Sequence, residues 1–230
     1  MISVNKMSWF KYYKEQVKII RERDPAIKND LEVLLYPSFR ALYSYRKAHK
    51  HYLKGHFFRA RVISQRAARK TGIEIHPGAT IGEGFFIDHG NGVIIGETSI
   101  IGNNVTLYQG VTLGGTGKET GKRHPTIGNN VMISAGAKVI GSFTVGDNSK
   151  IGAGSVVLSE VPPNSTVVGI PGRVVKREDV RLPQLDLDQI HLPDPVLNDI
   201  NVLKQENDEL KRAIKKLVDK VDKAEREGKL

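Results

Sequence analysis

The segment Asp-His-Gly-Asn-Gly at 88–92 contains the side chain in this sequence that is best suited to moving a proton. An imidazole has an unperturbed pKa near physiological pH, so His89 can act as a general base toward a poorly acidic hydroxyl group. A carboxylate close to the ring could hold its tautomer and stabilise the imidazolium that forms. A single histidine is more often structural, but His89 lies in an interruption of a regular repeat, which favours the catalytic role.

A second polar segment ends in two residues that can bind an anion; it reads Gly-Gly-Thr-Gly-Lys-Glu-Thr-Gly-Lys-Arg-His-Pro at 114–125. Arg123 is a suitable partner for a carboxylate, because the guanidinium fork makes two parallel hydrogen bonds. The segment does not match a phosphate-binding loop: Thr116 stands where that motif has its first Gly, and Arg123 follows Gly-Lys where Ser or Thr is required.

Metal and thiol chemistry are not indicated. The sequence contains no cysteine, which excludes disulfides, thiolate metal sites and a cysteine acyl-enzyme. His76, His89 and His124 lack the spacing of metal ligands, so we expect no metal.

From Ile73 onward, apolar residues recur at every sixth position. An amphipathic helix requires a spacing near 3.6, and half-buried hairpins require a period of 2. A six-residue repeat instead predicts short strands and tight turns, with three repeats closing one triangular coil and each apolar side chain stacked on its equivalent one coil away. We therefore predict a mainly β protein with a parallel β-helix of about five coils at 72–173. The repeat consists of Ile75, Ile81, Ile87, Ile95, Ile101, Leu107 and Leu113, followed by Ile127, Ile133, Val139, Val145, Ile151 and Val157.

Two interruptions break this repeat, at 88–92 and at 114–125. Interruptions of a regular solenoid usually lie on its binding face. The side chain of His89 can therefore leave the stack and face a cleft. Glu74 precedes His89 by 15 residues, close to the length of one coil, which places a carboxylate on a neighbouring coil.

Residues 1–71 are predicted to form a small helical domain. Asp24-Pro25 predicts a helix start, because Asp is a good N-cap and Pro suits the first helical position. Pro37-Ser38 predicts another start, and Gly72 predicts a helix end. The apolar face of the first helix is predicted from spacings of 3, 4 and 3 to consist of Phe10, Tyr13, Val17 and Ile20.

After the β-helix, a polar linker is predicted at 174–195 and a coiled-coil helix at 196–230. Apolar residues alternate at spacings of 3 and 4 between charged positions, the pattern of heptads. Asn207 at a core position would fix the register. An amphipathic helix packed on the body is the alternative. The core positions are Ile200, Leu203, Asn207, Leu210, Ile214, Leu217, Val221 and Ala224.

Charge is concentrated at the start of the chain, where residues 1–71 carry 17 Lys and Arg against 5 Asp and Glu, a net +12. Such a segment can bind nucleic acid, an anionic membrane or a phosphorylated ligand, but solvated helix faces are the favoured explanation. No motif that reads nucleic acid is present, and we expect no such partner. No apolar run is long enough for a membrane span and no secretory signal is apparent, so we expect a cytoplasmic protein without membrane contact.

The order of helices, repeat and interruptions resembles that of the serine acetyltransferases over residues 20–195. Hexapeptide repeats alone are shared with other acyltransferases, but the combination of fragments is more specific. These are Arg-Asp-Pro-Ala at 23–26, Gly-Ile-Glu-Ile-His-Pro-Gly-Ala at 72–79, Asp-His-Gly at 88–90, Gly-Glu-Thr at 96–98, Leu-Gly-Gly-Thr-Gly-Lys at 113–118 and Arg-His-Pro at 123–125.

The resemblance implies a left-handed β-helix, against the usual crossover rule, and a direct transfer of acetyl from acetyl-coenzyme A to the hydroxyl of L-serine. It implies that His89 and Glu74 form the catalytic dyad, although many relatives carry Asp at the latter position. It also implies binding roles for two sets of residues. The substrate set is Asp24 and Asp88 for the amino group with Arg123 and His124 for the carboxylate, and the coenzyme A set is Gly115, Ala135, Lys150 and Arg173.

The resemblance further implies a homotrimer with active sites between subunits and feedback inhibition by L-cysteine. Docking to O-acetylserine sulfhydrylase is doubtful, because many relatives use a C-terminal Ile and this chain ends in Leu. Two other functions remain open: another hexapeptide acyltransferase acting on a sugar or xenobiotic hydroxyl, and a non-enzymatic trimeric scaffold.

Overall fold

The computed structural model describes residues 8–117, 120–177 and 195–226. Three α-helices and a short 3-10 helix precede the β-helix. They are α1 (Trp9–Arg23), the 3-10 helix Asp30–Leu35, α2 (Pro37–Leu53) and α3 (Phe57–Thr71).

The predicted start of α2 and the predicted end of α3 are confirmed. Pro37 opens α2 after Tyr36, where its missing N–H removes no helical hydrogen bond. Gly72 closes α3 in the left-handed region with φ 70°, a conformation that costs glycine little because it has no Cβ.

Two predictions about the first helix are wrong. Asp24 does not begin a helix: it caps the C-terminal end of α1, and its Oδ1 accepts a hydrogen bond of 2.8 Å from the Ala26 N–H in a turn. Phe10 does not lie on the buried face, since it is 70% exposed. Tyr12 is buried instead, because its ring stacks on Phe39 of α2 with centroids 5.0 Å apart.

The β-helix predicted from the six-residue repeat is confirmed. In the described part of the chain, fifteen short strands form three sheets of five, four and six strands. The five-stranded sheet contains β1 (Ile73–Ile75), β4 (Val93–Ile95), β7 (Thr112–Gly114), β10 (Lys138–Ile140) and β13 (Val156–Val157). The four-stranded sheet contains β2 (Thr80–Ile81), β5 (Ile100–Ile101), β8 (Thr126–Ile127) and β11 (Thr144–Val145). The six-stranded sheet contains β3 (Phe86–Ile87), β6 (Thr106–Leu107), β9 (Met132–Ile133), β12 (Lys150–Ile151), β14 (Ser165–Val168) and β15 (Arg173–Arg177).

The apolar residues of the repeat form three stacked columns, one for each sheet. In the five-stranded sheet, parallel pairing aligns each apolar residue of the repeat with the equivalent residue of the next coil. The same alignment holds in the other two sheets. Because almost every member is fully buried, these columns are the core of the β-helix. The first column is Ile75, Ile95, Leu113, Val139 and Val157.

Asparagines form a second kind of column at the corner between the four-stranded and six-stranded sheets. The Asn104 amide donates to Asn130 Oδ1 at 3.3 Å, and the same bond recurs from Asn130 to Asn148 and from Asn148 to Asn164 at 3.0 Å. All four have φ between 55° and 58°, a region that Asn tolerates better than most residues. This ladder fixes the turn geometry of four successive coils.

The helices contact the first coils of the β-helix through hydrogen bonds. The Tyr45 hydroxyl of α2 donates to Ala79 O at 2.6 Å, and His49 Nδ1 lies 2.7 Å from Pro77 O. Arg23 at the end of α1 donates to Thr106 Oγ1 at 3.0 Å. Residues before and after Gly72 therefore pack as one unit.

The chain beyond the last complete coil differs from the predicted linker. β15 runs antiparallel to β14, so residues 174–177 continue the sheet instead of leaving it. Residues 178–194 of the predicted linker lie outside the described residues. A single long helix, α4 (Pro195–Arg226), forms a separate unit.

The stacked columns predict a large cost for any cavity in them. Ile133 is 0% exposed in the middle of its column, so Ile133→Ala should lower the free energy of unfolding by about 2–5 kcal/mol. Leu158→Ala, at a residue that is 57% exposed, is the control and should change it by roughly 0.5 kcal/mol or less. Denaturant unfolding followed by circular dichroism measures both, and equal effects would contradict the column as the source of stability.

Candidate active site

His89 lies at the corner where the chain passes from the six-stranded to the five-stranded sheet, between β3 and β4. Its backbone has φ 54°, and Gly90 follows with φ 82°. A Cβ on Gly90 would lie 2.5 Å from Ile73 Cδ1, so only glycine lets the loop close against β1. The loop keeps the His89 side chain exposed, as the interruption of the repeat predicts.

Two acidic residues lie beside this corner. Asp24 Oδ2 accepts a hydrogen bond of 2.5 Å from the Tyr36 hydroxyl, while Oδ1 is held by the Ala26 N–H. Asp88 precedes His89 directly, and burial raises the pKa of its carboxyl, with the nearby Asp24 charge raising it further and His89 opposing the shift. The structure thus brings together three of the predicted residues: Asp24, Asp88 and His89.

Glu74, the predicted partner of His89, lies in β1 with its side chain outside the stack. β1 pairs with β4, the strand that leaves the His89 loop, and the Gly92 N–H donates to Gly72 O at 2.8 Å. The hydrogen bond recorded for the Glu74 carboxylate comes from Gln65 Nε2 of α3 at 3.4 Å. Among the described residues no hydrogen bond joins Glu74 to His89, and the dyad stays a prediction.

Arg123 and His124 lie at another corner, where the chain passes from the five-stranded to the four-stranded sheet. Thr98 fixes both: its Oγ1 accepts from the Arg123 N–H at 3.0 Å and from the His124 N–H at 3.1 Å. His124 packs on Gly96, where a Cβ would lie 1.9 Å from the ring. The Gly-Glu-Thr fragment at 96–98 therefore supports the C-terminal end of the loop at 114–125.

The tautomer of His124 follows from its contacts. His124 Nδ1 accepts a hydrogen bond from the Thr98 N–H at 3.2 Å, so the neutral ring carries its proton on Nε2. Burial lowers the pKa of His124, and the Arg123 charge lowers it further. The ring is therefore neutral at physiological pH and offers one N–H donor to a ligand.

Arg123 is held by Glu97, a residue of the fragment at 96–98 whose role the sequence did not predict. Its Nη2 donates to Glu97 Oε2 at 2.6 Å, and Tyr52 of α2 donates to Glu97 Oε1 at 3.0 Å. This hydrogen bond from Arg123 is the main reason that the pKa of Glu97 is lowered. The bonds hold one edge of the guanidinium, and the remaining N–H groups can bind an anion.

The two corners are separate within one chain. The strand β4, Val93–Ile95, lies between the His89 loop and Gly96, and three extended residues span about 10 Å. The acidic group with His89 thus lies at one edge of the five-stranded sheet, and Arg123 with His124 lies at the other.

The residues predicted to bind coenzyme A do not gather at one corner either. Gly115 packs against Arg123 and His124, and Ala135 lies at the corner of His89, further along the β-helix. Lys150 is buried in β12 instead of lying at a solvated corner, and Arg173 is exposed in β15.

A column of glycines lines the corner of His89. It is formed on successive coils by Gly92, Gly110, Gly136 and Gly154, with φ between 67° and 75°. A Cβ on Gly110 or Gly136 would meet only backbone of the next glycine, at 3.4 Å or more. The corner therefore has a strip of backbone without Cβ atoms beside Ala135, running along the axis away from His89, exposed at Gly92 and Gly154 and half-buried at Gly110 and Gly136.

Within the described part of the chain, no group of three or more His, Asp or Glu side chains could hold a metal ion. In the same residues, no helix combines the length and the apolar character needed to cross a membrane.

Comparison with known proteins identifies the family. The family model "Bacterial transferase hexapeptide (six repeats)" matches residues 124–159. The serine acetyltransferase of Bacillus licheniformis is 56% identical over 209 residues, which cover 90% of this chain and 96% of that protein. That of Bacillus subtilis is 56% identical over 204 residues, covering 88% and 94%. The chain belongs to the serine acetyltransferase family. The resemblance drawn from the sequence fragments is thereby confirmed, and the sugar and xenobiotic alternatives are not favoured.

Solved structures of this family have the same fold. A serine acetyltransferase in complex with cysteine has a TM-score of 0.74 and 41% identity, covering 79% of this chain and 71% of that one. The Brucella abortus enzyme in complex with coenzyme A has a TM-score of 0.70 and 42% identity, covering 74% and 68%. The Neisseria gonorrhoeae enzyme in complex with serine has a TM-score of 0.69 and 45% identity, covering 73% and 69%.

The Glu97–Arg123 ion pair predicts a specific pH dependence of stability. Because the pKa of Glu97 is lowered by folding, its ionised form stabilises the fold above its unfolded pKa, about 4.3, and this contribution is lost as the pH falls through the folded value. Glu97→Gln should therefore lower stability by about 1 kcal/mol at pH 7 and by clearly less at pH 3. Thermal unfolding at both pH values measures this difference.

Glu83→Gln is the matched control. Glu83 is exposed at the corner between β2 and β3, and among the described residues it has no basic partner in an ion pair. It should behave like the unmodified chain at both pH values. A loss in Glu97→Gln that is the same at pH 7 and pH 3 would show that the ion pair is not its source.

Proposed function

We propose that this chain transfers acetyl from acetyl-coenzyme A to the hydroxyl of L-serine, at a cleft where His89 of one subunit faces Arg123 and His124 of another. The observation that carries the proposal is the division of the polar residues between two corners of the β-helix. One corner supplies a base and two carboxylates, and the other supplies a cation and a neutral donor. In a homotrimer, the first corner of one subunit faces the second corner of its neighbour, which gives three equivalent clefts.

The chemical step follows from the exposed imidazole. His89 removes the proton from the serine hydroxyl as the oxygen attacks the thioester carbonyl carbon. The carbon–sulfur bond then breaks, and the coenzyme A sulfur takes the proton from the imidazolium, which restores the neutral ring. Glu74 stabilises the imidazolium from the adjacent strand when the cleft is formed. No metal takes part in this step.

Serine is recognised by charge at both of its ends. Its ammonium group binds Asp24 and Asp88, and its carboxylate binds Arg123 and the Nε2–H of His124. The pKa of Asp88 is raised mainly by burial and also by the Asp24 charge, and a bound ammonium group would offset both, because an opposite charge favours the ionised carboxylates. Tyr36 holds one oxygen of Asp24 and thus fixes the direction of that carboxylate.

Acetyl-coenzyme A extends along the glycine column from His89. The glycines there lack a Cβ and leave room for a long chain, Ala135 borders the same strip, and the Lys138 ammonium that donates to Gly110 O is a cation close to its path. A relative that binds coenzyme A supports this co-substrate. Gly115, Lys150 and Arg173 contact the coenzyme only if the adjacent subunit brings their faces to the strip.

L-cysteine inhibits by occupying the serine site, because it differs from serine by sulfur in place of oxygen and presents the same charged ends. A relative solved with cysteine supports its binding. We place the protein in the cytoplasm.

Removal of the base should abolish most turnover. His89→Ala is expected to lower kcat by about 10²–10⁴-fold, measured by coenzyme A thiol release with serine and acetyl-coenzyme A. His56→Ala is the control, because His56 is exposed in the helical domain and should retain full turnover. A His89→Ala protein that keeps more than a third of the turnover would exclude His89 as the base.

Loss of the carboxylate contact should affect one substrate. Arg123→Ala is expected to raise KM for serine by about tenfold or more, corresponding to one charge-assisted hydrogen bond, with KM for acetyl-coenzyme A within about twofold. Arg59→Ala, at an exposed arginine of α3, should leave both constants unchanged. Equal increases for the two substrates in Arg123→Ala would place this side chain at the coenzyme instead.

A further inference from the structure

The helix α4 presents an apolar stripe to solvent. Its described residues form a shallow groove that is lined by Ile200, Leu203, Lys204, Asn207, Asp208 and Lys211. Further along, Leu210, Ile214 and Leu217 are 57–63% exposed. A helix with such a stripe gains most of its stability by burying it.

We propose that this stripe packs against the same stripe of another copy of this chain, in a parallel and in-register coiled coil. The charges beside the stripe support this occupant. In heptads with Ile200 and Asn207 at position a, Glu206 falls at position g and Lys211 at position e. In a parallel pair, position g of one helix lies beside position e of the next heptad in its partner. Glu206 therefore meets Lys211 of the partner subunit.

The other flanking positions in the sequence are complementary in the same way. Asp199 and Lys204 occupy positions g and e one heptad earlier, and Lys220 and Glu225 occupy them two heptads later with the signs reversed. Three of the four g-to-e pairs thus join opposite charges. A second α4 supplies this complement at these three pairs, and the fourth pair, Ala213 with Val218, is apolar.

Asn207 determines the direction of the pairing. In a parallel in-register pair, Asn207 lies opposite Asn207 of the partner subunit, and the two amides can hydrogen-bond each other. An antiparallel pair that aligns all core positions places Asn207 opposite Leu217. That arrangement leaves the amide without a partner in an apolar seam, which is unfavourable.

The absence of cysteine from the chain allows a direct test with single introduced thiols in the full-length protein. Leu203→Cys places a thiol at core position d, and Gln205→Cys places one at position f on the opposite side of the helix. After mild oxidation, non-reducing electrophoresis should show a cross-linked species of twice 25.5 kDa for Leu203→Cys and little for Gln205→Cys. In an antiparallel pair the two copies of position 203 are 18 residues apart along the helix, about 27 Å, and do not cross-link.

A charge reversal tests the flanking pairs. Lys211→Glu should slow the cross-linking of Leu203→Cys about threefold at low salt, the effect of roughly one weak surface ion pair, and the added change Glu206→Lys should restore the rate. Equal cross-linking of Leu203→Cys and Gln205→Cys would overturn the proposal. The absence of cross-linking at position 203, which is expected if the stripe packs on the body of the protein, would also overturn it. A cross-linking rate of Leu203→Cys that Lys211→Glu leaves unchanged would do the same.

Discussion

The stacking of one apolar side chain per strand directly on its equivalent in the next coil is the constraint on which the rest of this structure depends. A coil that shifted by one residue would turn its buried side chain outward, because neighbouring residues of a strand face opposite sides. The strands therefore tolerate no insertion, and extra residues occur at the corners. The candidate site residues His89, Arg123 and His124 accordingly lie at corners, at 88–92 and 114–125, with strands on both sides.

The sequence predicts the β-helix well because each member of the repeat is buried by its equivalent alone. Ile133 needs only Leu107 and Ile151 above and below it, and that relation is visible as a spacing. The first helix is predicted less well, because the burial of Tyr12 and the exposure of Phe10 depend on where α2 lies. Asp24-Pro25 has the composition of a helix start, but hydrogen bonds from Ala26 and Tyr36 make it a turn.

The residues of the candidate site likewise divide into those that the sequence predicts and those that it does not. His89, Arg123 and His124 are recognisable because they interrupt a repeat and match family fragments. Tyr52 matches no fragment, and Glu97 lies in the fragment at 96–98 without a predictable role, since its hydrogen bond with Tyr52 joins residues 45 positions apart in a helix and a β-helix corner. Tyr36, which holds Asp24, belongs to no recognisable motif. Contacts of this kind arise from packing of the helical domain on the first coils, and no local pattern encodes them.

The antiparallel strand β15 has a consequence for how the molecule behaves at high concentration. A β-helix end is an open sheet edge, onto which a coil of another molecule could add and so begin a fibre. At this end the six-stranded sheet finishes in a strand of reversed direction, and its hydrogen-bond pattern does not match a parallel coil. A coil must join all three sheets together, so reversing one of them terminates the solenoid and limits end-to-end polymerisation.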